Sequence, residues 1–143
     1  MIRKFKKCDI NDVMQIWENE NVKSHKFIQE KYWKNNYNYV KEALPKAEIY
    51  VYIFGERIVG FIGLNKNYIE GIFVDENNQG KGIGTSLLIK AKENRNCLKL
   101  SVYKKNTNAI SFYKKNGFEI INENIDDNTK EIEYTMIWNK NIM

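Results

Sequence analysis

Asp75-Glu76-Asn77-Asn78-Gln79-Gly80-Lys81-Gly82-Ile83-Gly84-Thr85 sets three alternate glycines between an extended run, Tyr68 to Val74, and a helical one with Leu87, Leu88 and Ala91 on one face. Alternate glycines let consecutive backbone N–H groups turn toward one point, and a helix N-terminus adds partial positive charge there. The segment therefore reads as a seat for phosphate oxygens, with Lys81 close enough in sequence to assist. The alternative reading is a tight strand-to-helix connection with no ligand. Spacing excludes two familiar phosphate sites. A P-loop needs glycine, four residues, then Gly-Lys-Ser/Thr, but Asp75 stands at the first glycine position. The dinucleotide fingerprint G-x-G-x-x-G fails because its last position is not glycine, and it also needs a parallel βαβ unit.

The residues upstream do not supply one. Ile49 to Phe54 and Ile58 to Leu64 are β-branched and aromatic runs joined by Gly55-Glu56, a hairpin signal, and Asn65-Lys66-Asn67 turns the chain into Tyr68 to Val74. This predicts an antiparallel meander. Before it, Ile10, Val13, Met14 and Trp17 follow the i, i+3, i+4, i+7 spacing of one buried helix face, with Asp9 placed to cap the helix. A short alternating strand, Ile2 to Phe5, precedes them. A second helix is expected from about Gln29 to Leu44, ended by Pro45, with Trp33 and Tyr37 on its core side. Downstream, the pattern predicts a strand at Leu98 to Val102, a helix at about Asn108 to Asn116 with Gly117 as its C-cap, and strands at Phe118 to Ile125 and Glu131 to Trp138. With no repeat or linker, residues 1–143 read as a single α+β domain with about four helices.

Composition narrows the function. At 43% apolar and 13% aromatic residues the chain can fill a real core. Charges interrupt every apolar stretch well short of the ~20 residues that span a bilayer, and no secretory signal is visible, so the cytoplasm is the expected compartment. The net charge of +5 comes almost wholly from lysine, whereas nucleic-acid readers lean on arginine. Neither nucleic acid nor membrane is an expected partner. Cys8 and Cys97 have no second cysteine or histidine at metal-ligand spacing and read as reduced, buried thiols; no metal site is expected.

Gln79-x-x-Gly82-x-Gly84 resembles the acyl-CoA pyrophosphate motif of the GCN5-related N-acetyltransferase family. A second block, Asn106-Thr107-Asn108-Ala109-Ile110-Ser111-Phe112-Tyr113 followed by Gly117-Phe118, is similar to the same family's later motif Asn-x-x-Ala-x-x-Phe-Tyr. The predicted element order matches the family fold, so the resemblance covers the whole chain. Ser24-His25-Lys26-Phe27-Ile28 with Tyr32-Trp33 looks like the small bacterial YiaC/YjaB-type subgroup, which includes protein-lysine acetyltransferases.

The resemblance implies a mainly antiparallel mixed sheet with a central wedge, where acetyl-CoA lies between the third meander strand and the strand after the glycine helix. Phe73 and Val74 would pair with the pantetheine amides through backbone groups, and an N–H there would polarise the thioester carbonyl. The N–H groups of Gln79, Gly80, Lys81, Gly82, Ile83, Gly84 and Thr85 would bind pyrophosphate. Asn106, Ala109 and Phe112 would lie along the cofactor arm, and Tyr113 beside the sulfur as general acid. Glu70, in the strand leading to the wedge and by alternation on the face of Tyr68 and Ile72, is the candidate base; its alternative is a solvent-facing charge. His25, the only histidine, is a candidate for acceptor binding or proton transfer, or else a packing residue. Tyr32, Trp33, Tyr37 and Tyr39 are candidate acceptor-pocket walls, and Lys104-Lys105 and Lys114-Lys115 candidate phosphate attractors. The implied reaction is direct transfer of acetyl to a primary amine, with a protein or peptide lysine as the leading acceptor. A small amine metabolite or antibiotic remains open, as does a CoA-binding sensor without turnover. The chain is expected to act as a monomer or homodimer.

Overall fold

Helical and extended periods alternate along the chain, so the fold must cover a sheet with helices on both faces. The computed structural model of the protein describes residues 1–140; the last three residues of the expected 1–143 domain lie outside the described residues. In order, the elements are β1 (Ile2–Lys4), α1 (Ile10–Ser24), α2 (Glu30–Ala43), β2 (Glu48–Phe54), β3 (Arg57–Asn65), β4 (Tyr68–Val74), α3 (Ile83–Lys92), β5 (Cys97–Tyr103), α4 (Thr107–Lys115), β6 (Glu119–Ile125) and β7 (Ile132–Asn139). The seven strands form one sheet in the order β1-β2-β3-β4-β5-β7-β6. Every described pairing is antiparallel except β4 with β5. Among the described residues no helix is long and apolar enough to cross a membrane.

Two apolar clusters form the core. Val13, Met14, Trp17 and Trp33 of α1 and α2 pack on Val51 and Phe61 of the meander. Leu87, Leu88 and Ala91 of α3, with Ile110 of α4, pack on Ile62, Leu64, Leu100 and Met136. In β5 strict alternation sends Leu98, Leu100 and Val102 into this second cluster and leaves Lys99 and Ser101 on the other face. Pro45 lies in a 3-10 turn, Leu44–Lys46, that ends α2.

Two expectations fail. Asp9 does not cap α1 through its side chain: a 3-10 turn, Lys7–Asp9, leads directly into the helix and leaves Asp9 itself helical (φ −82°, ψ −9°). Its buried carboxylate instead accepts from Arg3 Nη1 at 2.8 Å, Arg3 Nη2 at 3.0 Å and the Lys6 N–H at 2.8 Å, tying β1 to the start of α1. Nor are the thiols buried. Cys8 is exposed because that turn runs over the surface, and Cys97, the first residue of β5, is partly exposed.

Candidate active site

A cavity of about 930 Å³ opens where the one parallel pairing fails. β4 and β5 pair only at Tyr68↔Lys99 and Ile69↔Leu100, and beyond that point they diverge. The cause lies in β4. Register with β3 runs from Leu64↔Ile69 to Gly63↔Gly71, so Glu70 has no partner and forms a bulge, which bends and twists the strand. Gly71 is required beside it, since a Cβ there would stand 2.5 Å from the Phe73 ring. The bulge also overturns the alternation argument for Glu70. Ile69 and Ile72 both pack on the α3 side, whereas Phe73 packs on the α1 and α2 side. Glu70 therefore shares a face with Tyr68 and Phe73, and Ile72 points the other way. The edge of β4 that faces β5 is left without a strand partner from Gly71 to Val74, and these residues line the cavity.

The glycine turn closes one end. Gly80 and Gly82 have φ of +80° and +81°, a region that side chains with a Cβ rarely adopt. A Cβ built on Gly82 meets nothing within 4 Å, so the backbone there faces open space. The N–H groups of Ile83, Gly84 and Thr85 precede the first bond of α3, which Ser86 donates to the Gly82 carbonyl. Unpaired donors at a helix N-terminus facing a cavity make an anion cradle. Gln79 fixes the turn: its Nε2 donates to the Val74 carbonyl and to Glu20 Oε1, both at 2.9 Å. Lys81 stands apart from the cavity lining, with its ammonium 3.3 Å from Asn78 Oδ1 and 5.0 Å from the Phe54 ring centroid.

Glu20 is the site residue that the sequence reading missed. It is buried on α1, lines the cavity, and accepts from the Glu76 N–H at 3.2 Å as well as from Gln79. Burial pushes its carboxyl up against the opposing pull of the Lys23 ammonium. The available signal was a charge three residues after Trp17 on the apolar stripe of α1, where a free carboxylate has no reason to sit.

The second block forms the opposite wall. Asn106 caps α4, its Oδ1 accepting from the Ala109 N–H at 3.3 Å, and its Nδ2 lies 3.2 Å from His25 Nε2. The Phe112 ring presses on α3 so closely that a Cβ at Gly84 would fall 2.9 Å from it. Tyr113 is buried against Phe112 and Phe118, and burial pushes its phenol well above the usual range. It lines the cavity, and its hydroxyl forms no hydrogen bond with the described residues.

Glu70, His25 and Tyr113 thus line one cavity, as do Phe73, Val74, Gln79, Gly80, Gly82, Ile83, Gly84, Thr85, Asn106, Ala109 and Phe112. Of the candidate acceptor walls, Trp33 lines it, Tyr37 packs edge-on to Trp17, and Tyr39 is exposed away from it. Lys105 alone of the four paired lysines lines it, held by Glu131 at 3.2 Å. The end remote from the glycine turn carries Tyr68, bonded to Ser101 Oγ at 2.9 Å, and Tyr103, bonded to Asp126 Oδ2 at 2.6 Å. Glu70 and Glu133 line the cavity, and the charges of both raise the Tyr68 phenol after burial, which is the larger cause. Tyr32, a candidate acceptor wall that lies outside the lining, is raised in the same way by burial, followed by the charges of Asp126 and Glu133. This mouth is aromatic and acidic in a chain of net charge +5.

A family model described as an acetyltransferase (GNAT) domain matches residues 45–120, the stretch from the 3-10 turn after α2 into β6. Peptidyl-lysine N-acetyltransferase YiaC of Escherichia coli K12 is 28% identical over 140 residues, which cover 96% of each chain. The solution structure of apo YjaB from Escherichia coli superposes with a TM-score of 0.86 at 25% identity, covering 96% of each chain. A putative streptothricin acetyltransferase from Bacillus anthracis, solved with acetyl coenzyme A, is 30% identical over 65% of this chain and 62% of its own, with a TM-score of 0.61.

Proposed function

The chain belongs to the GNAT family of N-acetyltransferases, and from that premise we propose that it moves the acetyl group of acetyl-CoA to the side-chain amine of a protein or peptide lysine. The observation that carries this reading is the single cavity running from a backbone anion cradle to a carboxylate-lined mouth, with a wedge between β4 and β5 joining the two. Open space at Gly82 and the unpartnered edge of β4 suit the pyrophosphate and the amide-bearing arm of acetyl-CoA.

In the proposed reaction the N–H groups from Gly80 to Thr85 hold the pyrophosphate, while that of Gln79 is given to the Glu76 carbonyl. Phe73 and Val74 pair with the arm, and Asn106, Ala109 and Phe112 lie along it. Glu70 takes a proton from the incoming ammonium, directly or through one water, and the free amine attacks the thioester carbonyl. A strand N–H stabilises the oxygen as it gains charge. The carbon–sulfur bond then breaks, Tyr113 gives its proton to the departing thiolate, and the attacking nitrogen releases its second proton, which restores the Tyr113 phenol through solvent. A phenol is protonated at neutral pH, as a donor must be, and burial, by raising it, makes Tyr113 a weaker acid than a free tyrosine.

The lysine acceptor is supported by the name that YiaC carries and by the acidic mouth, which suits a cationic amine. A small-amine acceptor is the second reading, favoured by the similarity to the putative streptothricin acetyltransferase. Incubation with acetyl-CoA and either lysine peptides or small amines, read by thiol release and by the acetyl mass increment on the acceptor, separates them. Peptide-dependent thiol release is expected. Release only with small amines overturns the lysine assignment, and CoA binding without acceptor-dependent release identifies a sensor.

A further inference from the structure

His25, just after α1, joins the acceptor-side helices to the N-terminus of α4. Its Nδ1 lies 3.1 Å from the Asn21 carbonyl oxygen and its Nε2 lies 3.2 Å from Asn106 Nδ2. A carbonyl only accepts, so Nδ1 carries the proton and Nε2 presents a lone pair. The Asn106 amide is oriented independently, because its Oδ1 must face the Ala109 N–H that it caps, which turns its NH2 toward His25. One tautomer and one amide orientation therefore satisfy all three bonds. The ring stacks on Trp33 at 5.2 Å, and Phe27 and Tyr103 meet it edge-on at 5.6 and 5.2 Å.

We propose that His25 is a positioning residue which, by accepting the Asn106 N–H as a neutral imidazole, couples the acceptor-side loop to acyl-CoA binding. The proposal rests on the acetyl-CoA reading above. With His25 in place, Asn106 holds the first turn of α4, and α4 in turn sets Phe112 against Gly84 at the anion cradle. Neither ring nitrogen is then free to carry a proton for the reaction, so His25 acts through Asn106 and leaves the proton transfers to other groups.

The coupling is pH-dependent. A protonated Nε2 would face the donors of Asn106, and turning the amide to accept would abandon the Ala109 N–H. Burial already disfavours the charged ring, and among the described residues no carboxylate pairs with it. Of the charged groups around the cavity, Lys23 pairs with Glu76, Lys105 with Glu131, Glu20 bonds Gln79 and Asp126 bonds Tyr103, whereas Lys26, next in the chain, and Glu70, on the same lining, form no side-chain ion pair or hydrogen bond with the described residues. Glu133 is bonded to Asn124.

Calorimetric titration of the whole protein with CoA tests this. His25→Phe keeps the stacking and removes both hydrogen bonds; at pH 7.5 it should weaken CoA binding about tenfold, and Asn106→Ala by at least as much. The double variant should bind no more weakly than Asn106→Ala alone. His25→Gln, which retains an acceptor, should recover most of the affinity. Between pH 7.5 and 5 the wild type should lose affinity relative to His25→Phe; titration of the ligand's own phosphate is common to both and cancels. Losses that multiply in the double variant, or pH profiles that coincide, overturn the coupling. A wild type that binds no CoA overturns the acetyl-CoA reading instead.

Discussion

Gly82→Val should abolish most of the stabilisation that CoA gives the folded protein. Gly82 has φ of +81°, and open space surrounds the position of its missing Cβ. Valine there does two separable things: it strains the backbone, costing about 1–2 kcal/mol, and it projects methyl groups into the cradle. For a chain of this length 1 kcal/mol moves Tm by about 3 °C, so strain alone lowers the unliganded Tm by about 3–6 °C. CoA at a hundred times its Kd adds about 2.7 kcal/mol, or roughly 8 °C, to the wild type. A hundredfold loss of affinity leaves about 0.4 kcal/mol, near 1 °C, at the same concentration. Gly55→Val is the control: φ is +66°, a Cβ there also meets nothing, and the residue lies in the β2–β3 hairpin outside the cavity lining. It should show a similar drop without ligand and the full CoA shift in differential scanning fluorimetry. A full CoA shift in Gly82→Val, or its loss in Gly55→Val, would refute the cradle argument.

Tyr113→Phe should lower kcat by about 10² to 10⁴ in a steady-state thiol-release assay while CoA affinity stays nearly unchanged; an unaltered kcat leaves solvent as the proton source. Glu70→Gln should slow the reaction more at pH 7 than at pH 9, where free lysine amine is about a hundredfold more abundant, and equal losses at the two pH values would mark Glu70 as structural. Asp9→Asn should cost about 1–3 kcal/mol at pH 7, a drop of roughly 3–9 °C in Tm, because a bidentate guanidinium contact is lost. The Arg3 guanidinium holds the Asp9 carboxyl below the usual range, so this stabilisation is complete above the unfolded pKa of about 3.9. It fades as pH falls through the lower folded value. Melting curves of the two proteins should therefore converge in acid, and a constant gap would place the effect elsewhere.

Most of the architecture was legible because the two periods were clean. Ile10, Val13, Met14 and Trp17 marked the start of α1, which runs on to Ser24 beyond the stripe they form, and Leu98, Leu100 and Val102 marked β5 within a residue of each observed end. The glycine turn was legible from spacing, and positive φ at Gly80 and Gly82 is what such spacing permits. Illegible were features that depend on partners distant in sequence. The bulge at Glu70 arises from register with Gly63 and Leu64, which no period within β4 encodes. Glu20 meets Glu76 and Gln79 only once α1 lies against the turn, and Asp9 chose Arg3 over its own helix for the same reason. The single histidine was visible as a residue, but its bond to Asn106 spans 81 positions.

A crystal structure of the protein with CoA tests the central claim most directly. The pantetheine arm should lie between β4 and β5 along Gly71 to Val74, with the pyrophosphate on the N–H groups from Gly80 to Thr85 and the sulfur near Tyr113. CoA bound outside the β4–β5 wedge, or a pyrophosphate that touches none of those N–H groups, would contradict it.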